Sequence, residues 1–306
     1  MHEMLDPLRS PLTYAVPFFF LAIAVELAAL RWLDHDDTIT GYLAKDSQTS
    51  LLMGLGSLVS ITAIKALMFV GYIGIWEYVA PWHLPSTWWG LLTAVVLVDL
   101  AYYWSHRFVH RARVGWAAHQ AHHSSAYMNF TTALRQKWNP WFEFFFFAPL
   151  PFLGISPAGI YLAFSINLLY QFLVHTETIG RLWTPIEWVM NTPSHHRVHH
   201  GSDPEYLDRN YAGILIVWDR LFGTFTPERQ RPTYGLTKPV ETHNVVRLEY
   251  GAYAELWRDL RGASCWRDRL GYLFRPPGWA PGTRGLGGAA PKLVSPGTRP
   301  ATRRAD

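Results

Sequence analysis

TWWGLLTAVVLVDLAYYWSHRFVH, residues 87–110, carries an apolar run straight into a pair of histidines. From Thr87 to Trp104 the only formal charge is Asp99, and as a helix this stretch reaches most of the way through a hydrocarbon core ~30 Å thick. His106 and His110 follow on the same helix, four residues apart and therefore on one face. Whatever chemistry they perform is expected at a membrane surface.

The pair is one of three clusters. Ten of the 14 histidines fall between His106 and His200, and nine of these lie in HRFVH (106–110), HQAHH (119–123) and HHRVHH (195–200). Composition gives no reason for such bunching, and imidazole is a common metal ligand. His119 stands three and four residues before His122 and His123, and His196 repeats this spacing with His199 and His200. Read as helix, each set projects from one face and can chelate. His195 makes a further i,i+4 pair with His199, although neighbouring residues diverge by ~100° and one of His195 and His196 is expected to turn away. His175, alone in LLYQFLVHTETIG, is a tenth candidate. A six-coordinate iron that leaves room for oxygen takes about four or five protein ligands, so eight to ten histidines suit two metals.

The rest of the chain is apolar and clumped: 306 residues, 49% hydrophobic and 15% aromatic. Residues 11–32, PLTYAVPFFFLAIAVELAALRW, read as a membrane span. Met1–Ser10 carries acids as well as Arg9 and does not read as the start of a cleaved signal. Leu51 to Ala80, interrupted by Lys65 and by glycines at 54, 56, 71 and 74, is expected to be one kinked span. Trp141 to Val174, with prolines and glycines in PLPFLGISPAG (149–159), reads as a helical hairpin that crosses twice or dips and returns. Arg31 and Lys45 flank the first loop, residues 81–86 hold no lysine or arginine, and Arg107, Arg111, Arg113, Arg135 and Lys137 follow the third span. The positive-inside rule then places the N-terminus outside and the histidines inside, with five spans or three plus a re-entrant hairpin. The fold expected is an all-α integral membrane protein, residues 1–275, with a helical histidine cap on the cytoplasmic face, followed by a disordered Gly/Pro/Arg-rich tail over 276–306.

Other functions are excluded by composition. Cys265 is the only cysteine, so no intrachain disulfide, iron–sulfur cluster or thiolate zinc site can form. The net charge of +4 follows from the basic loops, and no nucleic-acid-binding motif is present.

The order of span, HRFVH, HQAHH, hairpin, and NTPSHHRVHHGSDPEYLDRNYAGILIVWDRLFGTF resembles the fatty acid hydroxylase and sterol desaturase superfamily over residues 90–227. WAAHQAHHSSAYMNFTTALRQ and TPSHHRVHHG look most like its alkylglycerol monooxygenase branch with its bacterial members. The resemblance implies a non-haem centre of two iron ions, O2 as co-substrate, and hydroxylation or desaturation of an unactivated C–H bond in a membrane lipid, at the bacterial inner membrane. Its ligands map to His106, His110, His119, His122, His123, His196, His199 and His200, with His175 a further one. Arg111 and Ala126 stand where the ether-cleaving branch carries acids, which counts against transferring that particular substrate.

Candidates to orient the ligand histidines are Asp99, two turns before His106 on the same face, and Asn210, Tyr211 and Asp219, near the third cluster in sequence. For Asp219 a structural pair with Arg220 or Arg197 is the competing expectation, and Asp203 and Asp208 read as loop or capping residues. Trp138, Trp141, Phe142 and Phe144–Phe147 read as lipid-facing or interfacial, with a channel lining as the alternative. Arg135, Gln136 and Lys137 read as headgroup contacts or snorkelling anchors. With no haem signature and no dinucleotide fingerprint, electrons are expected from outside, through a ferredoxin- or cytochrome-linked reductase or a reduced pterin. The alternative reading is a metal transport or storage protein of the membrane.

Overall fold

The computed structural model describes residues 11–32, 39 and 41–282. Among these it is helical apart from two isolated bridges, Met190 with Leu215 and Gly201 with Tyr234. The expectations for Met1–Ser10 and for tail residues 283–306 lie outside the described residues. Residues 276–282 fold back on the body, where Trp279 sits against Gly271 and Tyr272.

The first span is α1 (Pro11–Trp32). The second is α2 (Ala44–Tyr78), one helix of 35 residues that begins ahead of the apolar run. Its glycines admit neighbours rather than break it. A Cβ at Gly54 would stand 2.8 Å from the Leu134 carbonyl oxygen, at Gly56 2.4 Å from the Trp138 indole, and at Gly71 2.8 Å from Phe144. The third, α3 (Trp88–Arg111), is capped by the Thr87 hydroxyl accepting from the Gly90 N–H at 3.2 Å, and it runs on through both histidines as expected. α4 (Arg113–His119) follows at once.

The hairpin is asymmetric. Its first arm is broken into α5 (Glu143–Phe147) and α6 (Pro149–Phe152), because Pro149 has no N–H to continue the helix. Its second arm is α7 (Pro157–Val174), capped by Ser156. The Gly154 carbonyl at the turn accepts from Leu84 N–H at 2.9 Å and from Trp76 Nε1 at 3.1 Å. Gly154 has φ +86, and a Cβ there would lie 2.6 Å from the Trp82 carbonyl oxygen. Thus the hairpin turn and the α2–α3 turn share one end of the bundle, while the C-termini of α3 and α7 deliver their histidines to the other.

By length and composition α1, α2 and α7 can each cross a membrane, and α3 has 24 residues, about 36 Å. The two short helices of the first arm, of five and four residues, are each too short to cross alone. Leu52, Leu55, Leu58, Val59, Leu67 and Val70 on α2, with Phe18, Phe20, Leu21 and Val25 on α1, are exposed, the pattern of helices solvated by lipid. The chain is an integral membrane protein. α3 and α7 form the centre, packed with α2, α5 and α6 around Met68, Tyr72, Ala94, Val98, Phe147, Leu150 and Ile160. The cap over the histidine end comprises α8 (Thr184–Val189), α9 (Pro193–His200), α10 (Val217–Leu221), α11 (Val245–Gly262) and α12 (Trp266–Phe274).

Placing a side chain at Gly56 displaces Trp138, whose Nε1 donates to the Met53 carbonyl at 2.9 Å. Gly56→Val is expected to destabilise the protein by about 1–3 kcal/mol, the usual cost of overpacking. Gly74→Ala, with nothing within 4 Å of the new Cβ, leaves stability unchanged or slightly raised. Thermal unfolding in detergent compares the two.

Candidate metal centre

Nine of the ten candidate histidines converge, in two sets. His106, His110, His119, His123 and His199 form one, and His122, His175, His196 and His200 the other; within each set the nearest ring nitrogens all lie within 4.8 Å of one another. Three of the four i,i+4 pairs stay together, 106 with 110, 119 with 123 and 196 with 200, and the fourth, 195 with 199, does not. The odd member of a cluster crosses over, His122 to the second set and His199 to the first, because residues a single step apart diverge by ~100°. The second cluster is not one α-helix as expected: α4 ends at His119, and His122–Ser124 form a 3-10 turn. That tighter turn gives His122 and His123 rings at 90° to each other.

The ring protons are fixed by the backbone. His106 Nδ1 lies 2.8 Å from the Tyr211 carbonyl, His122 Nδ1 3.1 Å from that of Arg135, His175 Nδ1 2.7 Å from that of Gln171, and His199 Nδ1 3.0 Å from that of Arg209. A carbonyl only accepts, so each of these Nδ1 atoms carries the proton and each neutral ring turns a bare Nε2 inward. His122 Nε2 and His175 Nε2 then meet at 3.3 Å with two lone pairs and no proton between them. Nε2 of His110, His199 and His200 is buried without any hydrogen-bond partner. Such atoms are costly unless something fills the gap, and a cation shared among converging lone pairs does so. The donor set therefore fits metal.

None of the nine is more than 8% exposed. Burial, reinforced in most by the neighbouring imidazoles, holds His119, His122, His123, His196 and His200 well below the ordinary histidine value and brings His175 and His199 down to about 4. They are neutral, the form that binds metal.

His195 joins neither set. Its Nε2 lies 3.0 Å from Glu187 Oε2, and its Nδ1 accepts from the Thr192 N–H at 3.4 Å, closing a capping box on α9. Glu187 also accepts from the Thr192 and Ser194 hydroxyls at 2.8 and 2.7 Å. The pair anchors the start of the helix that carries His196, His199 and His200.

The carboxylates act one step further back than expected. Asp99 touches no histidine: it accepts from Asn167 Nδ2 and Ile214 N–H at 2.7 Å, and from Leu215 N–H and Trp218 Nε1 at 2.9 Å, stapling α3 and α7 to the loop after Tyr211. Asp219 pairs with neither Arg220 nor Arg197. It accepts from the Tyr211 and Ala212 N–H groups, both at 2.8 Å, and so positions the carbonyl that orients His106. Tyr211 serves through that carbonyl. Asn210 donates to the carbonyls of His195 and Thr226, shaping the loop. Asp208 and Asn210 adopt left-handed conformations, φ 60 and 53, which these residue types tolerate, and Arg209 between them presents its carbonyl to His199. Asp208 Oδ1 also comes within 3.9 Å of His110 Nδ1, too far for a hydrogen bond, while Oδ2 takes Arg111 at 3.1 Å.

Arg135 is no headgroup contact. It is 2% exposed, pairs with Asp46 at 2.6 Å and donates to the Ser50 and Ser124 hydroxyls. Lys137 pairs with Glu143 at 2.6 Å, and Gln136 donates to the Ala133 carbonyl. Glu187, Asp46 and the four accepting carbonyls were not foreseen as supports. Thr192 three residues before His195 carries a capping signal, but nothing local marks Asp46, 89 residues from Arg135.

Two facing sets of neutral, buried imidazoles at one end of a bundle of long apolar helices define an integral membrane protein with a paired histidine site. Residues 91–224, somewhat under half of the chain, match the fatty acid hydroxylase family model. It is 39% identical over 278 residues to an alkylglycerol monooxygenase of Xenopus tropicalis (89% of this chain, 60% of the relative). It is 41% identical over 281 residues to that of Danio rerio (90% and 61%). An ornithine lipid hydroxylase of Rhizobium tropici is 29% identical over 174 residues (52% and 49%). The chain thus spans about 60% of the length of the alkylglycerol monooxygenases cited. No solved structure matches.

Because each set has members of its own, His123→Ala and His200→Ala are each expected to lower metal content by about one ion per chain, and the double variant to lose both. His195→Ala is expected to keep both ions while unfolding at a lower temperature. Elemental analysis of purified protein, paired with thermal unfolding, distinguishes these outcomes. Asp46→Ala strands the buried Arg135 guanidinium and is expected to cost about 3–5 kcal/mol, read in the same unfolding experiment.

Proposed function

We propose that this chain is an O2-dependent di-iron oxygenase that hydroxylates or desaturates an unactivated C–H bond of a membrane lipid. One observation carries the reading: the two histidine sets border a cavity of about 150 Å³ that runs among the bilayer helices. His119, His122 and His175 line one end, and Phe19, Ile61, Leu168 and Phe172 from α1, α2 and α7 line its apolar wall. Metal and acyl chain are thereby offered one compartment.

Imidazole also suits zinc, which outranks iron in intrinsic affinity. Oxidation of a C–H bond requires a redox-active ion, and this requirement, with the family relation, favours two irons. When bound, they supply the activation of O2. The protein's own groups keep the imidazoles neutral, exclude water and hold one lipid carbon nearby. Hydroxylation consumes R–H, O2, two electrons and two protons and yields R–OH and water. With Cys265 as the sole thiol, the electrons come from a separate reductase with a ferredoxin or cytochrome, or from a reduced pterin.

The site faces the cytoplasm in this reading. Residues 79–87 and 153–156 at the far end hold no lysine or arginine, whereas Arg107, Arg111 and Arg113 stand at the histidine end. The membrane is then the bacterial inner membrane, residues 1–275 are the catalytic unit and 276–306 an appended tail. The relatives named for alkylglycerol and ornithine lipid support a lipid with a polar head. Comparative lipid mass spectrometry of a deletion strain and its complement, grown under 18O2, tests the function. A lipid that gains one labelled oxygen with the wild-type gene and not with His122→Ala is expected, and identical lipid profiles in all three strains would refute it.

A further inference from the structure

Lys65 is a cation in the middle of an apolar helix. It lies 21 residues from the start of α2 and 13 from its end, about 32 and 20 Å, too deep for a lysine stem to snorkel to either interface. An ionisable group at that depth is expensive and marks function unless it is paired. Its ammonium stands 4.8 Å over the Phe164 ring and forms no ion pair or side-chain hydrogen bond among the described residues. Glu143, the carboxylate beside it, is closed on Lys137 at 2.6 Å.

Lys65 also lines the cavity that reaches His119, His122 and His175, together with Lys137 and Glu143. The other polar groups on that wall are committed internally: Tyr102 donates to Gln171 at 2.8 Å, Gln171 to Asn167, and Gln136 to Ala133. Two lysines and one glutamate leave the wall one positive charge in excess, and Lys65 holds the uncommitted donor. Phe164, beneath the ammonium, is eleven residues before His175 on α7, about 16 Å along the helix. Lys65 and His175 thus line the cavity at different heights, with apolar side chains between them.

We propose that Lys65, backed by the Lys137–Glu143 pair, is the subsite for the oxyanion at the head of a single-chain lipid, a carboxylate or a phosphate monoester, whose chain then runs toward the histidines. The assignment rests on the oxygenase reading for its purpose. It has a consequence of its own: the carbon presented to the histidines is counted from the polar head, so its position stays constant as chain length varies.

Binding without turnover tests this. In metal-loaded full-length protein in nanodiscs, oleate is expected to bind at least tenfold more weakly to Lys65→Met than to wild type, with partial recovery in Lys65→Arg, while oleyl alcohol binds both alike. Glu143→Gln, which removes the competing negative charge, is expected to tighten oleate severalfold, a change of opposite sign that a merely structural role would not produce. This variant also decides the matter if Lys65→Met does not fold. Lysophosphatidate in place of oleate separates phosphate from carboxylate, and loss of either in Lys65→Met supports the subsite. Equal binding of oleate and oleyl alcohol to wild type, together with no effect of either variant on oleate or lysophosphatidate, overturns it. Intact head-group discrimination without lipid oxidation would count against the oxygenase reading alone.

Discussion

Four backbone carbonyls, those of Tyr211, Arg135, Gln171 and Arg209, accept from four histidine Nδ1–H groups, and because a carbonyl cannot donate, four Nε2 lone pairs are committed to the interior. Rings held this way repel one another until a cation lies between them. Much of the cap follows from this constraint. The left-handed turn at Asp208–Asn210, the 3-10 turn at His122–Ser124 and the end of α7 at His175 each place a carbonyl or a ring where regular helix could not.

The acids of the site work on the backbone rather than on the rings. Asp219 holds the Tyr211 and Ala212 N–H groups, Asp99 those of Ile214 and Leu215, and Glu187 the first turn of α9 through His195 and Thr192. Asp46 does the same at one remove, by fixing the Arg135 guanidinium on the residue whose carbonyl orients His122. A carboxylate on each ring would raise ligand basicity and add negative charge. Neutral carbonyls fix the tautomer without adding charge.

Local periodicity made the helices legible: α1 and the run of α3 into His106 and His110 follow directly from apolar length and i,i+4 spacing. It put His106 and His110 on one face, and grouped 119, 122 and 123, and likewise 196, 199 and 200, as single faces that the structure divides. It could not tell that His122 and His199 would change partners, since that depends on the 3-10 turn and on how α9 faces α3. Asp99 shares a helical face with His106, but its partners come from residues 68 to 119 positions away. Arg135 sits in a stretch that reads as interfacial, and only Asp46 and Ser50 from α2 reveal a buried clamp.

Charge balance ties the histidines to the cavity wall. Nine neutral imidazoles would leave the charge of two divalent ions uncompensated, and no carboxylate of Asp99, Asp219 or Glu187 enters either set. Asp208 comes nearest, yet it is engaged by Arg111. Along the cavity wall Lys65 and Lys137 outnumber Glu143. An apolar cavity whose wall carries an excess of positive charge attracts an anion more strongly than its single uncommitted ammonium would in solvent. A lipid headed by an oxyanion relieves the charge at Lys65, and the apolar wall then leaves its chain one direction to run, toward the histidines.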